Sequence, residues 1–210
     1  MIVLHYTAMQ TAEAALARLC DARTEVSAHY LIGETGCVWH LIDEDMRAWH
    51  AGAGQWGAVT DVNSRSIGIE LANTGAHPFP APQMAALEDL AAGLMQRWRI
   101  APERVIGHSD MAPARKHDPG PRFDWRRLAR LGLSVWPWAE GAGTVSMDAF
   151  LRHAATFGYR RHGDVTPEDI LRAFRARFRP GASGPLAPAD CAMIVDLARR
   201  FPVDRDTATA

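Results

Sequence analysis

Ser66-Ile67-Gly68-Ile69-Glu70-Leu71 decides how the chain is read. Its alternation is that of a β-strand, with Ile67, Ile69 and Leu71 on one face and Gly68 and Glu70 on the other. Upstream, residues 2–6 (IVLHY) form a short apolar run suited to a buried strand. Residues 27–32 and 37–42 flank Gly33-Glu34-Thr35-Gly36, the signature of a hairpin with a four-residue turn. Residues 104–107 read as a short strand that leads into a long loop over 108–124. Helical spacing separates these runs at 10–20, with Ala14, Leu16 and Leu19 near one face, and at 81–99, with Pro82 in the first turn. Residues 125–131 add a helical turn or two. Strands interleaved with helices place this part of the chain in the α/β class.

The remainder reads differently. Pro137 and the small residues of the stretch 134–143 (SVWPWAEGAG) break any regular element and set a boundary near residue 140. Beyond it the pattern is all-helical, with candidate helices at 146–157, 167–178 and 188–200. Ser146 supplies a cap for the first, and Thr166 caps the second with Pro167 at its first position.

With 210 residues, 48% apolar and 22% charged, the chain has the balance of a globular protein large enough to bury a core. That excludes a largely disordered chain, a collagen-like fibre and a coiled coil. No run of about 18 apolar residues is present to span a bilayer. A net charge of −1 offers no bulk attraction to nucleic acid or anionic lipid. Cys20, Cys37 and Cys191 are odd in number and lack CxxC spacing, so no disulfide framework is expected. The opening MIVLHY lacks the layout of a signal peptide, so a cytoplasmic location is expected; a trimmed form of an exported, periplasmic or wall-associated protein would look the same. The basic residues are 22 arginines and a single lysine, Lys116. Lysine is a compact ammonium whose pKa can be tuned, and arginine is not.

Several residues sit where chemistry is built. His5 closes the first strand and His108 follows residues 104–107; carboxyl ends of strands are where α/β sites form. Asp118 lies ten residues further on, in a loop stiffened by Pro119 and Pro121. Two imidazoles and a carboxylate are the protein half of a catalytic zinc site, where a bound water ionises near neutrality. The separations match no short metal motif, and His5 taken alone reads as a structural histidine. Glu70 is either a solvent-facing residue of a half-exposed sheet or a general base beside the metal, with Gly68 letting substrate approach the backbone. Lys116 is either a surface charge or an ammonium aimed at a developing oxyanion, and its being the only lysine favours the second. Trp49-His50-Ala51-Gly52 suits the wall of a groove for a sugar or peptide, or a loop anchored by a buried tryptophan. His29 reads as structural. Ser27, Ser66 and Ser109 have no nucleophile-elbow context, and no phosphate-binding glycine loop occurs.

Taken in order, LHYT at 4–7, SAHY at 27–30, RAWHAG at 47–52, SIGIEL at 66–71, GHSD at 107–110, APARKHDPGP at 112–121 and FDW at 123–125 form a recognisable set. The chain resembles the zinc-dependent type-2 N-acetylmuramoyl-L-alanine amidases, which are related to the peptidoglycan recognition proteins, over residues 1 to about 138. The resemblance implies a mixed central β-sheet flanked by helices, with one Zn2+ at the sheet's carboxyl edge. The family's zinc ligands fall on His5, His108 and Asp118, its catalytic glutamate on Glu70 and its catalytic lysine on Lys116. Members of the phage-lysozyme type carry a tyrosine at the position of Ala28 and lack the glutamate, so this chain resembles the glutamate-using branch. The tail, with FGY at 157–159 and AFRARFRP at 173–180, resembles a three-helix peptidoglycan-binding domain; that module's acidic–glycine turn is replaced here by Ser183-Gly184-Pro185.

The resemblance therefore implies an amidase domain over 1–138, a linker over 139–146 and a small all-α three-helix domain over 147–210. The expected reaction is hydrolysis of the amide between the lactyl group of N-acetylmuramic acid and L-alanine of the stem peptide. Trp49, His50 and Arg115 are the candidate substrate-groove residues. Peptidoglycan fragments or muropeptides are the expected partners of a monomer. The rival expectations are a non-catalytic peptidoglycan-binding protein and a zinc peptidase acting within the stem peptide.

Overall fold

A computed structural model describes residues 1–139 and 144–204. Among these residues the strands are β1 Ile2–Tyr6, β2 Tyr30–Ile32, β3 Val38–His40, β4 Ile67–Leu71 and β5 Val105–Gly107. They form one sheet in the order β3-β2-β4-β1-β5. β1 runs parallel to β4 and β5, and β2 parallel to β4, while β3 turns back antiparallel to β2 through the expected hairpin. The helices are α1 Ala12–Leu19, α2 Ala81–Trp98, α3 His108–Met111, α4 Trp125–Arg130, α5 Met147–Phe157, α6 Pro167–Phe178 and α7 Pro188–Arg200. No helix among the described residues is long and apolar enough to cross a membrane.

Two elements differ from the sequence reading. In α1 the buried residues are Ala12 and Ala15, and Ala14 is exposed. Thr11 caps this helix through the Ala14 N–H and so sets its phase. The stretch read as a loop over 108–124 opens with α3, a single turn in which the Asp110 carboxylate accepts from the Gly107 N–H at 2.8 Å. Four residues are too few to carry a helical period.

Alternation along β1 divides the core. Ile2 and Leu4 join Ile69 and Leu71 in a cluster with Leu87 and Leu94 of α2 and Leu128 of α4. Val3 and Ile106 point the other way, into a cluster with Phe157 of α5, Phe174 and Phe178 of α6 and Leu197 of α7. The C-terminal helices thus share a core with the second face of the sheet. The expected linker, 139–146, lies outside the described residues at 140–143, as do residues 205–210.

A buried polar cluster accompanies this contact. Asp110, 1% exposed, accepts from the Tyr159 hydroxyl at 2.5 Å and from Arg177 Nη1 at 2.7 Å. Arg177 also donates to the Val105 carbonyl at 2.9 Å and to Ser134 Oγ at 3.1 Å, with its guanidinium carbon 4.3 Å from the Trp125 ring centre.

Candidate metal centre and reaction cavity

Sheet register assembles the centre. In the parallel β1–β4 pair His5 stands opposite Glu70, and in the β1–β5 pair Leu4 stands opposite Gly107. His108 follows at once, at the carboxyl edge beside His5. Asp118 is returned to this edge by its own carbonyl, which accepts from the Ser109 N–H at 2.9 Å. Gly107 makes the return possible: a Cβ there would lie 2.7 Å from Pro119 Cδ.

The three side chains converge. His5 Nδ1 lies 2.9 Å from His108 Nδ1 and 3.0 Å from Asp118 Oδ2, and His108 Nδ1 lies 3.1 Å from the same oxygen. All three residues are buried. His108 Nε2 is 2.8 Å from the Ala51 carbonyl, which can only accept, so Nε2 carries the hydrogen and Nδ1 presents its lone pair. Burial, with His108 nearby, lowers the His5 pKa to about 4, so this ring is neutral near pH 7. Burial pushes the Asp118 carboxyl up, but the closeness of His108 and His5 outweighs that and holds it well below the usual carboxylate range. The His108 lone pair and the Asp118 carboxylate, directed at one point, repel one another unless a cation or a proton stands between them. The donor set, two nitrogens and one oxygen, is that of a catalytic zinc site. Zinc fits these residues.

Glu70 faces the same point. Its Oε2 is buried and has no hydrogen-bond partner among the described residues. Burial, reinforced by Asp118 and opposed by Lys116, pushes its carboxyl up to about 8. The strand face carrying Gly68 and Glu70 is therefore covered rather than open to solvent. Gly68 is overlain by His50, whose Cγ would stand 2.3 Å from any Cβ at that position.

Above the centre opens a cavity of about 350 Å³, lined by His5, Tyr6, Trp49, Glu70, Arg115 and Lys116 among others. Lys116 is half-buried in its wall. Trp49 is 57% exposed at the rim, where Arg47 lies 4.5 Å from the ring centre. Its main chain is anchored to Ser27, by Trp49 N–H to Ser27 Oγ at 2.9 Å and Ser27 N–H to the Trp49 carbonyl at 3.1 Å. Arg115 borders the cavity, but its guanidinium donates to the Ala51 and Ala53 carbonyls and so latches the 51–53 loop. His50 is only 9% exposed and stands behind His5, with Nδ1 3.0 Å from His5 Nε2. Two residues escaped the sequence reading. Tyr6 lines the cavity from the last position of β1. Asn63 Oδ1 accepts from both the His50 and Ala51 N–H groups, at 3.1 and 2.8 Å. Tyr6 had a signal, since it follows His5 at a strand end; Asn63 had none.

The chain matches known proteins in sequence and in structure. Residues 1–121 match the family described as N-acetylmuramoyl-L-alanine amidase. The N-acetylmuramoyl-L-alanine amidase AmiD of Escherichia coli K12 is 36% identical over 209 residues, which span 86% of this chain and 75% of AmiD. The 1,6-anhydro-N-acetylmuramyl-L-alanine amidase AmpD of Haemophilus influenzae is 39% identical over 103 residues, 49% of this chain and 56% of AmpD. The structure of E. coli AmiD in complex with anhydro-N-acetylmuramic acid-L-Ala-D-gamma-Glu-L-Lys superposes with a TM-score of 0.89 at 35% identity, covering 97% of this chain and 90% of AmiD. That of AmpDh3 from Pseudomonas aeruginosa gives a TM-score of 0.85 at 30% identity, covering 96% and 91%. Read with the convergent histidines, aspartate and glutamate, these matches place the chain in the N-acetylmuramoyl-L-alanine amidase family.

Proposed function

We propose that the chain hydrolyses the amide joining the lactyl group of N-acetylmuramic acid to L-alanine of a stem peptide, with one zinc ion held by His5, His108 and Asp118. The observation that carries this reading is the set of three buried donor atoms on the floor of a cavity, beside a glutamate whose buried Oε2 has no hydrogen-bond partner among the described residues. Zinc, when bound, supplies Lewis-acid activation of the carbonyl and of the nucleophilic water. Glu70 takes a proton as the water oxygen bonds to the carbonyl carbon. It returns that proton to the nitrogen as the C–N bond breaks, leaving a lactyl carboxylic acid and the free amine of the peptide, which exchange the remaining proton to give carboxylate and ammonium. Lys116 places its ammonium toward the oxyanion formed at the carbonyl. Trp49 offers an open aromatic face at the rim for the substrate's sugar or peptide, and Arg115 holds the adjoining loop.

The test is incubation of the zinc-analysed protein with a defined muramyl-peptide, read by mass spectrometry. Release of an intact stem peptide with an L-alanine amino terminus, abolished by a chelator and restored by zinc, is the expected result. Shortened peptides would assign it instead to a peptidase. No cleavage with a full equivalent of zinc would leave a peptidoglycan-binding protein.

A further inference from the structure

We propose that His50 and Ser66 are positioning residues for the metal centre: the hydrogen-bonded chain from His5 through His50 and Ser66 to the Val62 carbonyl fixes the His5 ring as its Nε2–H tautomer. The inference rests on the reading of His5 as a ligand.

The direction of each hydrogen bond follows from the last acceptor. The Val62 carbonyl can only accept, so Ser66 Oγ, 2.5 Å away, donates its one proton there. Ser66 Oγ then meets His50 Nε2, at 3.3 Å, as an acceptor, and the hydrogen of the neutral His50 ring is on Nε2. His50 Nδ1 is left with a lone pair, 3.0 Å from His5 Nε2. His5 Nε2 must donate, so its Nδ1 faces His108 and Asp118 without a proton. A metal-binding histidine needs its outer nitrogen held in this way, and a carboxylate or carbonyl usually does it. Here a second imidazole and a hydroxyl carry the constraint to the backbone.

Three further features fit this role. His50 is almost wholly buried and has little surface to offer a ligand. Gly68 leaves its ring room against β4, on the face that carries Glu70. Asn63 Oδ1 pins the amides of His50 and Ala51 together. Since the Ala51 carbonyl accepts from His108 Nε2, one short loop sets the tautomers of both histidine ligands.

Two measurements test the proposal. Nitrogen-15 NMR of the imidazoles in the metal-free wild-type protein should show His5 protonated at Nε2; protonation at Nδ1 overturns the proposal whether or not zinc is a ligand. Zinc affinity by chelator competition should fall about 10–100-fold in Ser66→Ala and His50→Leu. His50→Gln, whose amide can accept from His5 and donate to Ser66, should recover most of that loss. Wild-type zinc affinity in folded His50→Leu, with a raised KM instead, would make His50 a substrate contact and sink the inference. The parent reading fails by a different result, wild-type zinc affinity in His5→Ala.

Discussion

Glu70 is an acid that burial keeps protonated: with its carboxyl raised to about 8, it holds its proton at neutral pH before a metal arrives. A cation at the neighbouring donor set favours the carboxylate, so the proton must leave as zinc binds. Below pH 8 zinc therefore competes with a proton, and affinity should rise with pH up to about that value. His5, already neutral, and Asp118, already ionised, contribute nothing to this exchange near pH 7. Calorimetry in buffers of different ionisation enthalpy should count close to one proton fewer released by Glu70→Gln than by the wild type. The same variant should keep its zinc and lose on the order of 10²–10⁴-fold in turnover. Lys116→Arg should keep the charge but misplace it, lowering kcat by on the order of 10²-fold with the zinc content unchanged. At this scale the sequence was informative where residue type and strand position coincide, as for His5, Glu70 and His108. It was not informative for direction. Nothing in RAWHAG says that His50 turns inward to His5 while Trp49 turns outward, because that is decided by the Gly68 surface and Asn63.

Among the elements, α3 does the most with the least. Its one turn presents His108 to the candidate metal centre and Asp110 to the C-terminal helices, so an ion pair from α6 steadies the same segment that carries a candidate ligand. Arg177→Met should destabilise the fold by about 3–5 kcal/mol in urea titration, since it leaves the Asp110 carboxylate buried without its cation. Tyr159→Phe, which removes one hydroxyl from a charged acceptor, should cost about 1.5–3 kcal/mol. The boundaries of α6 were legible to the residue, because the Thr166–Asp169 capping box and Pro167 mark its start chemically. The α3 turn was not, because its four residues are too few to show a helical period.

For the molecule as a whole, the resemblance implies units at 1–138 and 147–210, and the packing between them sets how they unfold. Val3 and Ile106, from the middle of the sheet, share a cluster with aromatic residues of α5 and α6. Elements that share one buried core unfold together. Tryptophan fluorescence and far-ultraviolet circular dichroism should therefore give coincident urea transitions, and a folded intermediate with the C-terminal helices melted would show separate cores. The sequence could place helices in the tail from their periods, but not their partner. The part of the second sheet face that those helices cover comes from β1 and β5, through Val3 and Ile106, and only the fold reveals that it needs a cover.

The scarcity of lysine has a practical consequence. Of the 23 lysines and arginines all but one carry a guanidinium, and the one ε-amine stands in the wall of the cavity. An acylating label directed at lysine thus has one side-chain address, and a fluorophore installed there becomes a reporter of cavity occupancy. Ligands that fill the cavity should shield Lys116 from the reagent, and the rate of labelling then reads binding directly, with no turnover required.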